Sequence, residues 1–136
     1  MNLNDFAKEV HQNAVKHGWW DEERTFGEII ALCHSELSEA LEEFRAKRPM
    51  VWFGCAEADS EKPCRPEDEY DCLNYGKEVD CEYRSAKPEG IAVELADCII
   101  RILDYCGKEG IDIDAVLKLK HEYNKTRPYR HGGKAL

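Results

Sequence analysis

Residues 34–44 read HSELSEALEEF and crowd four glutamates beside the apolar residues of one segment. Wound at about 100° per residue, the segment forms a helix with one apolar stripe, made of Ile29, Ile30, Cys33, Leu37, Ala40, Leu41 and Phe44. Glu36, Glu39 and Glu43 form a second stripe along its border. Carboxylates at this spacing repel one another by roughly 0.2–0.5 kcal/mol per pair. A bound cation reverses the sign of that interaction, so the stripe indicates a metal site; the alternative is a solvated acidic face.

Two helices are predicted in the first third of the chain. Residues 3–17 carry apolar side chains at spacings of three and four, with a glycine directly beyond the last turn. The second helix spans 25–45, because TFGE has the form of a capping box in which Thr25 and Glu28 exchange hydrogen bonds. Pro49 follows its end.

Two more helices are predicted near the C-terminus. The third covers about 90–106, and its predicted inward face consists of Ile91, Leu95, Cys98, Ile99, Ile102 and Cys106. The fourth begins at the N-cap residue Asp112 and directs inward Ile113, Val116, Leu117 and Tyr123. The sequence therefore predicts an all-α fold, an antiparallel four-helix bundle forming a single domain over residues 1–136.

An irregular insertion of about residues 49–88 separates the second and third helices. It has no sustained period, although VWF at 51–53 can pair locally as a strand. Its four cysteines, at positions 55, 64, 72 and 81, do not form paired CxxC knuckles. We expect reduced thiols there, with a Zn²⁺-stabilised insert as the alternative. Cys33, Cys98 and Cys106 lie on apolar helix faces and are predicted to be core residues.

Charge and hydropathy limit the partners and the compartment. The formal net charge of −9 argues against a nucleic acid polymer or an anionic membrane as partner. The N-terminus lacks the apolar core of a secretory signal, and charges interrupt the longest apolar run, IAVELADCIIRIL. Seven cysteines is an odd number, which is typical of free thiols. We expect a cytoplasmic protein.

The third helix carries a second acidic pair, Glu94 and Asp97, beside its apolar face. Two neighbouring helices of this kind can bring four acids around one cleft, formed by Glu36, Glu39, Glu94 and Asp97. Oxygen ligands suit Mg²⁺, with Mn²⁺ as a substitute. Val93, Ala96 and Ile100 make the same helix apolar on its remaining sides, which predicts a homo-oligomer packed partly on this helix.

These motifs resemble a known family. ELSE at 36–39 followed by ELAD at 94–97 looks like the MazG-type all-α nucleoside triphosphate pyrophosphohydrolases, which are relatives of the dimeric dUTPases and of the phosphoribosyl-ATP pyrophosphohydrolases. The tail KHEYNKTRPYRHGGK is similar to the basic C-terminal segment of MazG-like proteins. The resemblance covers residues 3–48 and 88–136. The insertion departs from the pattern, because the family joins the two motifs by a much shorter connection.

The resemblance implies a reaction and an assembly. Members hold Mg²⁺ with the four acids and hydrolyse a nucleoside triphosphate between the α and β phosphates. They release the monophosphate and pyrophosphate, an activity suited to nucleotide-pool cleanup. The implied partners are a triphosphate substrate and a second copy of the chain, in a homodimer or homotetramer.

Individual residues can be given roles within this reading. We expect Glu39 to be the general base that receives a proton from the attacking water. The basic C-terminal segment would bind phosphates, through Lys120, Asn124, Arg127, Arg130 and Lys134. Trp20 could stack on a nucleobase, with core packing as the alternative.

Two other classes of protein also place acidic residues on helices. A di-iron carboxylate bundle requires Glu-x-x-His pairs. Every histidine in the chain has a residue other than glutamate three positions earlier, so this class is disfavoured. A non-catalytic helical module that binds nucleotide, or one whose acids are merely solvated, remains open. No residue pattern distinguishes which base the site prefers.

Overall fold

The computed structural model of the chain describes residues 2–53 and 87–130. Within these ranges the helices are α1 (Leu3–Lys16), α2 (Phe26–Arg45), α3 (Ile91–Glu109) and α4 (Ile113–Lys125). Two short strands, β1 (Trp52–Phe53) and β2 (Pro88–Glu89), pair antiparallel at the two ends of the insertion. The described part of the chain is thus mostly helical, and the predicted local pairing of VWF is confirmed. None of its helices combines the length and apolarity that a bilayer span requires.

The helix ends follow the predicted local signals. Thr25 accepts a hydrogen bond from the backbone N–H of Glu28, whose side chain accepts from the Thr25 backbone, so the capping box is present. Asp112 caps α4 by accepting from the Ala115 N–H. Helix α3 runs three residues beyond the predicted end and stops before Gly110, whose φ of +65° is a conformation that favours glycine.

The described helices belong to two compact units. The terminal unit comprises residues 1–23 and 102–136, and the central unit comprises residues 24–101, so the division falls within α3. In the terminal unit, Ala7, Leu103 and Cys106 form a buried cluster. Partly buried side chains pack around it, namely Leu3, Phe6, Ile111 and Ile113. The predicted inward position of Ile113 agrees with this packing.

Small residues let α1 and α3 approach closely within the terminal unit. A Cβ atom built on Gly107 would lie 2.4 Å from the backbone oxygen of Ala7. The ends of α1 and α4 are also joined, because the Asn4 backbone N–H donates to Asp114 and the Asp114 N–H donates back to the Asn4 side chain.

In the central unit, α2 buries a narrow face made of Ile29, Cys33, Glu36 and Ala40. Trp52 on β1 is buried, and its indole N–H donates to Glu43 Oε2 at 2.7 Å. The guanidinium of Arg48 lies 4.7 Å from the Trp52 ring centroid. Glu43, predicted as part of the acidic stripe, is therefore engaged by this tryptophan.

The predicted inward faces of three helices are partly wrong. Several large apolar side chains assigned to them are exposed in the single chain: Ile30, Leu37, Leu41 and Phe44 on α2, Leu95, Ile99 and Ile102 on α3, and Val116, Leu117 and Tyr123 on α4. Periodicity identifies an apolar face but not its buried centre. In the central unit that centre falls on small side chains, such as Cys33 and Cys98, and on the glutamates between them.

The close approach at Gly107 can be tested by substitution. Alanine in an open helical position is favoured over glycine by about 1 kcal/mol. Gly107→Ala should instead lower the free energy of unfolding by about 1–3 kcal/mol, because the added methyl group collides with Ala7. Urea unfolding followed by circular dichroism measures the change. Gly27→Ala is the matched control, since a Cβ there meets only Thr25 Oγ1 at 3.9 Å and should not destabilise the chain. A stabilised Gly107→Ala variant would contradict the packing.

Candidate metal centre

Acidic side chains from α2 and α3 meet inside the central unit. The carboxyl group of Glu39 on α2 lies beside that of Glu94 on α3, and the thiol of Cys33 on α2 lies beside that of Cys98 on α3. Positions thus rise along one helix as they fall along the other, as in antiparallel neighbours. Glu36, Glu39 and Glu94 each offer a carboxylate oxygen, and the three oxygens all lie within 4.8 Å of one another. We call these three residues the acidic triad.

Two members of the triad are withdrawn from solvent. Glu36 is 5% exposed and Glu94 is 6% exposed, whereas Glu39 is exposed. Burial raises the pKa of Glu94 to about 7, and the neighbouring charges of Glu39, Asp97 and Glu36 act in the same direction. Crowding and burial therefore both oppose the ionised form of Glu94. A positive charge placed among the oxygens would remove that opposition.

Asp97, the fourth predicted ligand, lies beside the triad rather than within the group of close oxygens. Its side chain is half-buried, and burial followed by the charge of Glu36 raises its pKa, while Lys87 and Arg101 act to lower it. It shares the electrostatic environment of the triad. Its role as a ligand stays a prediction.

Two basic residues border the acids. Arg101 Nε donates to Glu36 Oε1 at 2.5 Å, and Lys87 Nζ lies 3.0 Å from Glu89 Oε1. The hydrogen bond to Glu89 raises the pKa of Lys87, and the charges of Glu89, Glu94 and Asp97 add to the effect. Lys87 and Glu89 thus belong to the same charged environment as the triad.

Sequence reasoning gave these three neighbours no role. Arg101 follows Asp97 by four residues and so shares its helix face, a signal that could have identified it. Lys87 and Glu89 stand at the end of the irregular insertion, where no periodicity relates them to the helices. Only the pairing of β2 with β1 and the start of α3 at Ile91 bring them near the acids.

The thiols of Cys33 and Cys98 lie next to the triad but are not part of it. Burial raises the pKa of the Cys33 thiol, and the nearby Cys98 adds to the shift, so the neutral thiol is favoured there. Cys33, Cys98 and Cys106 are buried free thiols, which confirms them as core residues. The four cysteines of the insertion, at positions 55, 64, 72 and 81, lie outside the described residues, and so does the zinc alternative that depended on them.

The predicted base-stacking residue has partners of its own in the terminal unit. The indole N–H of Trp20 donates to both oxygens of Asp104, at 3.0 and 3.1 Å. His11 Nδ1 lies 2.7 Å from Asp104 Oδ1, and Lys108 Nζ lies 5.2 Å from the Trp20 ring centroid. Trp20 is half-buried and held in place, so its predicted contact with a nucleobase stays a prediction.

The predicted phosphate-binding residues belong to the terminal unit. Lys120, Asn124, Arg127 and Arg130 are exposed on α4 and directly after it. Lys120 Nζ lies 4.9 Å from the Tyr123 ring centroid. Lys134 lies outside the described residues. The role of these side chains in substrate binding also stays a prediction.

Comparison with known proteins found no match to this chain among protein-family models, curated proteins or solved structures. The MazG-like resemblance of its motifs therefore stays a hypothesis. The geometry of the acidic triad stands independently of that resemblance.

The triad predicts an unusual dependence of stability on pH. The folded chain retains the proton of Glu94 up to about pH 7, whereas an exposed glutamate releases it near its ordinary value of 4.5. Between these values the folded state binds more protons than the unfolded state, so stability is lost as the pH rises through about 7. We expect the melting temperature of the metal-free protein to fall across this range.

Thermal melts in chelator at several pH values measure the effect. Glu94→Gln should flatten the profile, because the amide is neutral throughout, and Glu42→Gln on the exposed side of α2 should leave the profile unchanged. Mg²⁺ should raise the melting temperature more above pH 7 than at about pH 5.5, since cation and proton compete for the same oxygens. A wild-type melting temperature that rises steadily to pH 8 would contradict the assignment.

Proposed function

We propose that this protein is a divalent-cation-dependent hydrolase of the MazG-like type, which cleaves a nucleoside triphosphate between its α and β phosphates to give the monophosphate and pyrophosphate. One observation carries the proposal. Three carboxylates from two helices place oxygens within 4.8 Å of one another, although two of these residues are buried. Such an arrangement is unfavourable by itself and becomes favourable around a cation.

The residues present fit a hard divalent cation. The triad supplies oxygen atoms, which Mg²⁺ and Mn²⁺ prefer. Burial raises the pKa of the adjacent Cys33 thiol, which favours its neutral form, a poor metal ligand. Glu36, Glu39 and Glu94 would hold the cation, with Asp97 beside them. When bound, the cation would neutralise phosphate charge and stabilise the negative charge that develops on the leaving oxygen.

The exposure of the triad members supports different roles for them, one as a general base and two as cation ligands. Glu39 is the exposed member, so its carboxylate is open to a water molecule that attacks the α-phosphorus. Glu39 accepts the proton of that water as the general base. Glu36 and Glu94 are buried and held on two helices, which suits them to a fixed position around the cation.

The substrate's negative charge requires further positive groups. Lys120, Asn124, Arg127, Arg130 and Lys134 are assigned to the phosphates, and Trp20 to the base, within this proposal. Lys120 and Asn124 are exposed on α4, and Arg127 and Arg130 are exposed directly after it, so these four side chains are accessible to a ligand. The full architecture of the proposal is an antiparallel four-helix bundle.

A panel of ribonucleoside and deoxyribonucleoside triphosphates tests the reaction. With Mg²⁺ present, the protein should convert at least one of them to monophosphate and pyrophosphate, resolved by anion-exchange chromatography. EDTA should abolish turnover. Glu39→Gln and Glu94→Gln should each lower kcat by about 100-fold or more, the scale of loss expected for a positioned general base or an electrostatic stabiliser.

The matched control is Glu42→Gln on the same helix. Glu42 is exposed and pairs with Arg45 at 2.7 Å, away from the triad, so the variant should keep wild-type activity. A folded protein that binds a triphosphate with Mn²⁺ but never consumes it would instead support the non-catalytic nucleotide-binding module. Full activity of Glu39→Gln and Glu94→Gln would contradict the proposed catalytic role of these acids.

The exposed apolar faces support assembly as a homodimer or homotetramer. In the central unit, Leu37, Leu41 and Phe44 follow one side of α2, and Leu95 and Ile99 follow one side of α3. Phe44 is 67% exposed and Ile99 is 53% exposed. Large apolar side chains at helical spacing on an open surface are typical of an interface. We propose that a second copy of the chain covers them.

Sedimentation velocity tests this assembly. The wild-type chain should sediment as a dimer or tetramer at micromolar concentration. Leu41→Asp combined with Ile99→Asp should shift it toward the monomer, because a charge in an apolar interface loses its hydration. Val15→Asp is the control on the exposed side of α1 in the terminal unit. A monomeric wild-type protein would contradict the assembly.

A further inference from the structure

One cationic side chain already occupies an oxygen of the acidic triad. Arg101 Nε donates to Glu36 Oε1 at 2.5 Å, and the carboxylate that receives this bond is 5% exposed. The Arg101 side chain is 30% exposed, so it reaches from the surface toward a buried acid. Charge-assisted hydrogen bonds of this kind are among the stronger polar interactions in proteins.

The position of Arg101 on α3 keeps its charge close to the other acids. It follows Asp97 by four residues and Glu94 by seven, and both spacings return to the same side of a helix. Its positive charge acts on Asp97 and on Cys33 as well as on Glu36. Arg101 therefore serves as an internal counter-ion for the site when no other cation is present.

We propose that Arg101 competes with the divalent cation for Glu36, so that the site favours a cation that arrives together with a triphosphate over a free cation. The proposal rests on the function proposed above. A cation held by Glu36, Glu39 and Glu94 repels the guanidinium and withdraws charge from the oxygen that it binds. A free cation must weaken the bond between Arg101 and Glu36 without offering the guanidinium another acceptor.

A triphosphate changes this balance. Its oxygens are acceptors for the planar N–H donors of a guanidinium, which pairs with phosphate in two-pronged geometry. With the polyanion present, Arg101 gains a new partner at the moment it gives up Glu36. Cation and nucleotide therefore strengthen each other's binding, and Arg101 links the two.

Mn²⁺ binding, measured by electron paramagnetic resonance of the free ion, tests the competition without catalysis. Removing the competitor in Arg101→Gln should tighten the binding of Mn²⁺ alone about threefold or more. In the wild-type protein, a triphosphate analogue with a non-cleavable α,β bridge should tighten Mn²⁺ binding by about 5–150-fold, the usual range of coupling between two ligands. That coupling should shrink toward unity in Arg101→Gln.

Arg45→Gln is the matched control. Arg45 also pairs with a glutamate, through Nη1 to Glu42 Oε1 at 2.7 Å, but the pair is exposed on α2. Its Mn²⁺ affinity and coupling should equal those of the wild type. Arg101→Met provides a second neutral variant of similar length, and thermal melts identify which variants are folded.

The wild-type chain supplies a readout that needs no substitution. The Nε–H resonance of Arg101 in a nitrogen–proton correlation spectrum reports its bond to Glu36, and it should move when diamagnetic Mg²⁺ and the analogue are added together. An unmoved resonance at saturation overturns the proposal. So does a folded Arg101→Gln variant that binds Mn²⁺ more weakly than the wild type, because Arg101 would then organise the site rather than compete for it.

The two proposals fail in distinguishable ways. A wild-type protein that hydrolyses no triphosphate contradicts the proposed reaction. In that case, tighter Mn²⁺ binding by Arg101→Gln still supports the competition between Arg101 and the cation for Glu36. Active hydrolysis with unchanged Mn²⁺ affinity in Arg101→Gln removes the competition and leaves the reaction in place.

Discussion

The repulsion among Glu36, Glu39 and Glu94 is the interaction on which the functional interpretation depends. Three carboxylate oxygens within 4.8 Å of one another, with two of the residues buried, are held together only because α2 and α3 pack beside each other. The chain meets this cost in two ways that are visible in the structure: the pKa of Glu94 rises to about 7, and Arg101 donates to Glu36. Both are substitutes for a cation, and both leave the site able to accept one. A divalent ion would take the place of the proton on Glu94 and of the Arg101 guanidinium at Glu36.

The packing around the triad explains how the repulsion is sustained. Small buried side chains, Cys33 and Cys98, face each other across α2 and α3 and bring the helices close enough for their glutamates to meet. Larger residues at these positions would separate the acids. At the other end of the insertion, β2 pairs with β1 and brings Lys87 and Glu89 into the same charged environment. The candidate site is therefore built from α2, α3 and the strand β2. Strand β2 lies at the end of the insertion, for which sequence patterns predict no regular structure.

Local signals in the sequence predicted the helices well. The capping box at Thr25, the N-cap at Asp112 and the stops at glycines act within one helical turn, so the chain around each of them suffices to predict the element. Burial was predicted less well. Phe44 and Ile99 belong to apolar stripes but are exposed in the single chain, because periodicity gives the direction of a face and not the partner that covers it. The same limit applies to Arg101. The sequence places it on the helix face that carries Asp97, but it does not predict the hydrogen bond to Glu36.

The amino-acid sequence by itself determined that the chain forms helices, where they begin, and that acids line the edge of two of them. Only the tertiary structure decided that Glu94 meets Glu36 and Glu39, that Asp97 stands slightly apart, and that an arginine already binds one of the acids. The physical reason is the range of the forces involved. Helix formation depends on residues within a few positions of one another, whereas the meeting of charges depends on how closely two segments more than fifty residues apart can pack.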